Sequence, residues 1–524
     1  MIQKYPRHLV MLFAAMALAV ALPKTYRGQD AWGRSPTATP IKHVVVLFQE
    51  NISFDHYFGT YPYATNPMSE PEFHADPHTP RANNLLSGGL LDSNPNSTQP
   101  FRLDRTCPLT TDQNHDYTPE QKAFDHGLMD AFVQNTGTAG TSCTDVTTGP
   151  GIVMGYYDGN SVTAMWNWAQ HYAMSDNFYG TMFGPSTVGV LNLVAGSTTN
   201  FTANTSSLSG TMAGGSKTGT LIGDIDAGYD DCGSATSNGT TTDPNIGILL
   251  NAKNITWGWF QGGFKPTTPW NPAVPGSRAA CASTSSDPAT GLSNVTDYVS
   301  HHNGFAYNIN TANPHHLPPT GPVGYTDQAN HQYDLSLFLT AITNDNLPSV
   351  SFVKAKKFQN GHPGNSTPLD EQTWLATAVN AIQNSKYWDD TAIIITYDDS
   401  DGWYDHQMDT VVNQSSSPND DYLSAPGACG TTPEGGAPGR CGYGPRLPLI
   451  VISKYAKSNY IDHRMTDQSS IIRFIEDNWK LPPIGGDSND VKAGSLFGFF
   501  DFDHQAPRIT LDTTTGQVVT EWHE

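Results

Sequence analysis

The chain has 524 residues, 37% hydrophobic and 15% charged, a globular composition that fits one large α/β domain with insertions or two to three smaller domains. Its 27 basic and 49 acidic residues leave a net charge of −22, which argues against nucleic acid or an anionic membrane surface as a bulk electrostatic partner. An anionic substrate would need a local source of positive charge at its binding site, such as a metal ion, histidines or a helix N-terminus.

The N-terminal segment, residues 1–22, has the pattern of a signal peptide. Two basic residues and a histidine precede an apolar run that ends at Leu22, and a small-x-small site lies just before that end. The run is short for a membrane-spanning helix, and an uncleaved anchor is the alternative. We therefore expect a periplasmic or secreted protein with no stable membrane anchor after cleavage of the signal.

The first predicted strand, residues 43–49, is a continuous apolar run that ends on Glu50 and Asn51. A strand that served only the core would not need this polar ending. In open α/β sheets, ligands bind at the carboxyl ends of the strands. The segment is therefore either a binding site or a solvated turn.

Three loop histidines are candidates for phosphate binding or for proton transfer to a leaving group: His115, His302 and His362. His115 comes just before a helical pattern over residues 120–134, which also contains Asp130. Each histidine lies among turn-forming residues and could equally be a surface residue.

The sequence GTMFGPSTVGV places Ser186 after a Gly-Pro turn and at the start of an apolar helix. A serine hydroxyl at a helix N-terminus lies where the helix dipole and the free N–H groups favour negative charge. This position suits a nucleophile whose product carries a phosphate. The alternative is that Ser186 or Thr187 simply caps the helix.

From about residue 197 to 330 the composition changes to serine, threonine, asparagine and glycine, which predicts loops and an insertion over one edge of the sheet. Four aromatic residues in this stretch could form an apolar rim for a lipid or could be ordinary core residues: Trp257, Trp259, Phe260 and Trp270.

Further buried-type strands are predicted over residues 349–353, 392–397 and 449–452, with helical patterns over 162–172, 334–343, 371–384 and 467–479. Continuous apolar strands that alternate with helices predict a mainly parallel sheet covered on both faces.

The strand over residues 392–397 also ends on acids, Asp398 and Asp399. If it lies parallel to the first strand in one sheet, Glu50 and Asn51 emerge at the same edge. Carboxylate and amide oxygens are the preferred ligands of hard divalent cations. The sequence therefore predicts a cation site formed by these four residues, with solvated turns as the alternative.

Six cysteines in polar loops and the absence of a CxxC pair indicate disulfides in an exported protein. Pairing of neighbours would give Cys107–Cys143, Cys232–Cys281 and Cys429–Cys441, although six cysteines allow 15 connectivities.

Several long motifs, in this order, resemble those of the bacterial phosphoesterase family, which contains phosphatidylcholine-hydrolysing phospholipases C and secreted acid phosphatases. The resemblance covers roughly residues 41–500 and leaves 501–524 as a C-terminal tail. The motifs are IKHVVVLFQENISFDHYFGTYP, DQNHDYTPEQKAFDHGLMDAFV, FGPST, SHHNGFAYN, NPHHLPPTG, ITYDDSDGWYDH, GYGPRLPLIVISKYAKSNYIDH and TDQSSIIRFIEDNW.

The resemblance implies an alkaline-phosphatase-like, three-layer α/β/α sandwich and a divalent metal ion whose identity it leaves open. It also implies residue roles. Glu50 and Asn51 match the first metal-binding pair, and Asp398 with Asp399 the second. Ser186 matches the nucleophile, and four residues match the remaining phosphate-facing positions: His115, Asp130, His302 and His362.

The sequence departs from the phospholipase pattern at several positions. Ile52 replaces a basic or polar residue, Asp399 stands where many relatives have glutamate, and Val188-Gly189-Val190 replaces Pro-Asn-Arg. These departures, a serine where the phospholipases usually carry threonine, and a chain that stops soon after the last core helix favour an acid phosphatase over a phospholipase C. A non-catalytic exported binding protein is the third alternative.

The hypothesis from the sequence is thus a double displacement on a phosphate-ester small molecule or a phospholipid head group. A metal ion activates Ser186, and His362 or His302 protonates the leaving alcohol. The oligomeric state stays open.

Overall fold

A computed structural model describes residues 36–138, 149–430 and 437–522. The predicted signal peptide lies outside these ranges. The centre of the fold is an eight-stranded sheet with the strands β1 His43–Gln49, β2 Ala173–Ser175, β3 Trp257–Gln261, β4 Gln332–Asp334, β5 Val350–Lys354, β6 Thr391–Tyr397, β7 Leu449–Ser453 and β8 Tyr460–Asp462. Their order in the sheet is β4-β3-β5-β1-β6-β7-β2-β8.

All pairings in this sheet are parallel except the two that β7 makes with β6 and β2. Side chains alternate between the two faces of each strand. In β1, Val45 and Leu47 therefore enter one hydrophobic core, while Val44, Val46 and Phe48 enter the other.

Helices cover both faces, and the predicted three-layer α/β/α sandwich is confirmed. Helices α4, α7 and α8 pack on the Val45 face, and α5, α6 and α9 on the Val44 face. The α-helices of the described ranges are α1 Phe54–Phe58, α2 Tyr117–Phe124, α3 Phe132–Asn135, α4 Thr163–His171, α5 Ser186–Ala195, α6 Ile246–Ala252, α7 Ser336–Thr343, α8 Pro368–Gln383 and α9 Ser469–Trp479.

Smaller sheets and hairpins surround this core. A four-stranded sheet lies in the region that the sequence predicts as an insertion: Phe201–Ala203, Thr218–Gly219, Asp226–Ala227 and Asn238–Thr241. The remaining pairs are Thr284–Asp287 with Leu292–Thr296, Phe101–Arg102 with Gly155–Tyr156, Phe178–Tyr179 with Thr466–Asp467, and Arg508–Leu511 with Val518–Trp522.

The stretch from 197 to 330 is more than a set of loops, because it supplies β3, an interior strand of the sheet. Trp257, Trp259 and Phe260 are fully buried in β3, so the hypothesis that they form an apolar rim is wrong. Trp270 instead stacks on His315, with ring centroids 4.0 Å apart.

Two other predicted elements also differ. The helix predicted over residues 120–134 is two helices, because Asp125 and His126 adopt left-handed backbone angles (φ 40° and 56°) that interrupt it. The predicted C-terminal tail contains a β-hairpin that docks on α8, where Asn380 donates to Leu511 O at 2.7 Å and accepts from Leu511 N at 3.0 Å.

Two of the predicted disulfides, Cys232–Cys281 and Cys429–Cys441, are confirmed. The third, Cys107–Cys143, stays a prediction because Cys143 lies outside the described residues. Disulfides of this kind are typical of proteins from oxidising compartments. Over residues 36–138, 149–430 and 437–522, no helix combines the length and the apolar character needed to cross a bilayer.

A buried ion cluster ties β7 to the loop that follows β6. Arg446, which is fully buried, donates to both carboxylate oxygens of Asp405 at 3.1 Å and lies 3.3 Å from Asp55. It also donates to the backbone carbonyls of Asn83 and Asp176 at 2.8 and 2.9 Å. The guanidinium group therefore holds four separate segments together.

Candidate active site

The carboxyl ends of β1 and β6 bring the two predicted acidic segments together. These strands are parallel neighbours with Gln49 opposite Tyr397, so the residues that follow them leave the sheet side by side. Asp398 Oδ1 accepts hydrogen bonds from the backbone N–H groups of Asn51 at 3.0 Å and Asp399 at 2.8 Å. Asp398 thereby joins the two strand ends.

Ser186, the predicted nucleophile, lies at this same edge. It is the first residue of α5 and is 1% exposed. Its Oγ lies 3.2 Å from Glu50 Oε2 and 3.2 Å from Asp399 Oδ2. The preceding turn needs glycine, because Gly184 has φ 122°, a conformation that L side chains rarely adopt.

The backbone of α5 packs directly against the end of β6. A Cβ atom added at Gly189 would lie 2.2 Å from Asp398 O, a distance that no side chain tolerates. The absence of a side chain at this position therefore sets how closely Ser186 approaches the acidic segments.

Several oxygen atoms at these strand ends are of the kind that a hard divalent cation binds. Asn51 Oδ1 is buried and accepts no hydrogen bond from any residue that the structure describes, and Glu50 and Asp399 each direct one carboxylate oxygen at the serine hydroxyl. Burial and the neighbouring Asp398 raise the pKa of both Glu50 and Asp399. These raised pKa values indicate that the surrounding residues supply too little positive charge to balance the two carboxylates.

A lysine that the sequence analysis did not single out also lies in this cluster. Lys354, the last residue of β5, forms an ion pair with Glu50, and its Nζ lies 3.4 Å from Asp398 Oδ2 and 3.2 Å from Gln49 O. Burial disfavours its charge, but Asp398 and Glu50 outweigh this effect and raise its pKa. In the sequence, the signal that could have identified Lys354 was a single lysine at the end of an apolar strand.

The three predicted histidines converge on the same pocket. His302 Nδ1 lies 3.2 Å from Glu50 Oε1, and His115 Nε2 lies 3.3 Å from the side-chain nitrogen of Asn51. The rings of His115 and His362 are edge to face, with centroids 6.1 Å apart.

The histidines differ in the charge that their surroundings favour. Burial lowers the pKa of His302 and of His362. Burial also opposes charge on His115, but Asp399 and Asp401 outweigh it and raise its pKa well above the usual value. His362 Nδ1 donates to Pro363 O at 2.7 Å, so Nε2 of the neutral ring carries the free lone pair.

Asp130 is not brought into this cluster. It lies in the loop between α2 and α3, and its carboxyl group faces Asp125. No hydrogen bond or ion pair joins it to the other predicted site residues within the described ranges. The sequence predicted Asp130 within one continuous helix, whereas the interruption at Asp125 places it in a loop outside the cluster.

The mouth of the site is acidic, another feature that the sequence analysis missed. Asp112 lies 3.5 Å from His115, and His301 lies 3.8 Å from Asp224 and 3.5 Å from Asp226. Three of the carboxylates around His115 belong to exposed residues: Asp112, Asp116 and Asp224. We call these three the acidic rim.

Another buried acid, Glu120, links the nucleophile turn to the loop after β6. It accepts hydrogen bonds from Gly184 N at 3.1 Å and from Ser400 Oγ at 2.8 Å. Burial raises the pKa of Glu120 to about 8. Sequence inspection alone offered no signal for it, because it reads as an ordinary first-turn helix residue.

The raised pKa of Glu120 predicts a pH-dependent stability. The folded protein holds this proton up to about pH 8, whereas the unfolded chain releases it near 4.5. The free energy of unfolding therefore falls as the pH rises through this window, by up to about 1.4 kcal/mol per pH unit from this group. Urea denaturation at pH 5.5, 6.5 and 7.5 (roughly the middle of that window) should show a shallower decline for Glu120→Gln than for the wild type.

The matched control for this experiment is Glu72→Gln, an exposed glutamate whose substitution should leave the slope unchanged. Parallel slopes for Glu120→Gln and the wild type would contradict the predicted titration.

Comparison with known proteins gives consistent matches. The family model described as "Phosphoesterase family" matches residues 41–482. The chain is 25% identical over 476 residues to "Non-hemolytic phospholipase C" of Burkholderia pseudomallei, an alignment that covers 84% of this chain and 56% of that protein. It is 24% identical over 471 residues to "Phospholipase C A" of Mycobacterium tuberculosis, covering 87% and 76%.

The chain thus spans little more than half the length of the Burkholderia protein. Among solved structures, an alkaline phosphatase superfamily protein from Vibrio parahaemolyticus matches with 12% identity and a TM-score of 0.31, over 71% of this chain and 78% of that one.

Proposed function

This chain belongs to the phosphoesterase family, and we propose that it is an exported phosphoric ester hydrolase that cleaves phosphodiesters with a cationic head group, as a phospholipase C does. The observation that carries the proposal is the position of Ser186 Oγ, 3.2 Å from oxygens of both Glu50 and Asp399 at the N-terminus of α5. The preference for an acid phosphatase that the sequence suggested is less well supported, because the relatives are named phospholipase C.

In the first step, Ser186 Oγ attacks phosphorus, an O–P bond forms, and the bond to the leaving alcohol breaks. Asp399 Oδ2 and Glu50 Oε2 are the acceptors placed for the serine proton. A divalent cation held by Glu50, Asn51 and Asp399 would supply charge neutralisation for the phosphoryl oxygens. The N-terminus of α5 adds partial positive charge at the same point.

Water then cleaves the phosphoserine ester and regenerates Ser186. His362 is suited to accept a proton from this water, because its Nε2 lone pair is free. His115 and His302 contact Asn51 and Glu50 and orient them beside the reacting atoms. The leaving alcohol receives its proton in the first step from a histidine of this group.

The acidic rim favours a diester over a monoester. A phosphomonoester dianion would meet the repulsion of Asp112, Asp116 and Asp224, at about 1 kcal/mol for each charge pair near 4 Å in water. A phosphodiester monoanion that carries a cationic substituent would lose less to repulsion and would gain attraction from the same carboxylates. Phosphocholine-type esters have this charge distribution.

Three chromogenic substrates with one leaving group test this preference: p-nitrophenyl phosphorylcholine, p-nitrophenyl ethyl phosphate and p-nitrophenyl phosphate. We expect kcat/KM to be about thirtyfold higher for the choline ester than for either of the others, as two charge pairs of about 1 kcal/mol each would give. Asp116→Asn should reduce the advantage over the ethyl ester about fivefold, since it removes one rim charge worth about 1 kcal/mol.

Asp512→Asn, which changes an exposed aspartate near the tip of the C-terminal hairpin, is the matched control and should leave the ratio unchanged. Faster cleavage of p-nitrophenyl phosphate would establish a phosphomonoesterase instead. Chelation should stop all three reactions, and added divalent cation should restore them.

A further inference from the structure

Lys354 is a buried charged group of this cluster to which the proposed mechanism gives no role. Its side chain is 1% exposed, and its ammonium group contacts carboxylates of the cluster rather than Ser186. It reaches the cluster from β5, the neighbour of β1 on the side opposite β6, and contacts Glu50, Asp398 and the carbonyl of Gln49.

The contacts of Lys354 and of Ser186 involve different oxygen atoms. Lys354 pairs with Glu50 Oε1 and Asp398 Oδ2, whereas Ser186 faces Glu50 Oε2 and Asp399 Oδ2. The ammonium group and the serine hydroxyl therefore do not compete for the same oxygen atoms. A cation beside Ser186 and the ammonium group of Lys354 can be held at the same time.

The formal charges of the cluster balance when a divalent cation and Lys354 are both present. Glu50, Asp398 and Asp399 carry three negative charges when ionised, whereas Asp401 is paired separately with His115 at 3.4 Å. One divalent cation and one lysine supply three positive charges. Without Lys354, a single divalent cation would leave one buried carboxylate uncompensated, which is costly in a protein interior.

We propose that Lys354 is a built-in counter-charge of the cation site, which keeps Glu50 and Asp398 in place without metal and limits the affinity of the site for a divalent ion. The inference rests on the cation in the proposed function. In this role Lys354 is a positioning residue that acts through Glu50 and Asp398. It would allow the exported protein to fold before it acquires its metal.

The test uses Lys354→Met, which keeps most of the side-chain volume and removes the charge, in the full chain stripped with chelator. Mn²⁺ binding is measured by calorimetry, and thermal unfolding is followed with and without Mn²⁺. We expect Lys354→Met to bind Mn²⁺ at least about tenfold more tightly than the wild type, because one repulsive charge is gone. Without metal it should unfold at a lower temperature, and Mn²⁺ should reverse that loss.

Two variants serve as controls. Lys354→Arg retains the charge and should keep the Mn²⁺ affinity of the wild type within about threefold. Lys356→Met removes a nearby lysine that is half-exposed and paired with Asp297 at 3.2 Å, and it should also match the wild type.

Equal or weaker Mn²⁺ affinity in Lys354→Met overturns the inference, and so does a variant that fails to fold even with Mn²⁺. A variant that folds only with Mn²⁺ supports it, because the metal then replaces the missing charge. A wild type that binds no divalent cation would refute the metal in the proposed function, whereas tighter binding by Lys354→Met alone would still uphold the role of Lys354.

Discussion

Ser186→Ala is expected to lower kcat for p-nitrophenyl phosphorylcholine by about 10⁴-fold or more and to leave the fold intact. The substitution removes the only atom of this side chain that can bond to phosphorus. Its loss costs little stability, since Ser186 Oγ makes two long contacts of 3.2 Å with carboxylates that have other partners. Initial rates and thermal unfolding of the same preparation measure both effects.

Ser336→Ala is the matched control, because Ser336 also begins a helix but lies on the exposed edge of the fold. It should retain full activity. Mass spectrometry after acid quenching should detect a covalent phosphorylcholine adduct in the wild type and none in Ser186→Ala. Ser186→Ala activity within tenfold of the wild type would remove Ser186 from the mechanism.

Arg446→Met is expected to have the largest effect on stability, a loss of about 3–5 kcal/mol in the free energy of unfolding. The substitution removes the guanidinium group from the buried carboxylates of Asp55 and Asp405, and the other basic side chain beside them among the described residues is His406, 2.5 Å from Asp55. It also leaves the carbonyls of Asn83 and Asp176 without their donor. Urea denaturation at neutral pH measures the loss.

The control for this prediction is Arg508→Met, in which a partly exposed arginine that stacks on Trp522 is replaced. It should cost less than about 1 kcal/mol. The double variant Arg446→Met/Asp405→Asn should recover part of the loss, because one buried charge disappears with its partner. A loss below about 1 kcal/mol for Arg446→Met would show that water or His406 compensates the two aspartates.

Much of the central sheet could be predicted because its strands are continuous apolar runs. The predicted bounds of β1 match the structure, and those of β5, β6 and β7 differ by one residue. The convergence of Glu50 with Asp398 followed from the same pattern, since parallel neighbours end at one edge. The shorter strands β2, β4 and β8 have three residues each, too few to show a period.

The prediction was less successful where tertiary contacts decide the role of a residue. Lys354 and Glu120 each look like an ordinary strand-end or helix residue, and only the folded chain brings them to the cluster. β3 lies within a stretch whose polar composition predicts loops, although its first four residues, 257–260, are apolar. Asp130 was included through the resemblance, whereas the break at Asp125 and His126 directs its segment elsewhere.

The contact between Gly189 and the carbonyl of Asp398 limits which sequences could be exchanged with those of relatives. The resemblance drawn from the sequence places an asparagine of the phospholipase pattern at this position, and a side chain here would have to occupy space that the backbone of Asp398 fills. Grafting that loop into this protein would therefore push the nucleophile outward by the thickness of a side chain. Protein engineers who wish to transfer head-group selectivity between family members would have to move α5 and the loop after β6 as one unit.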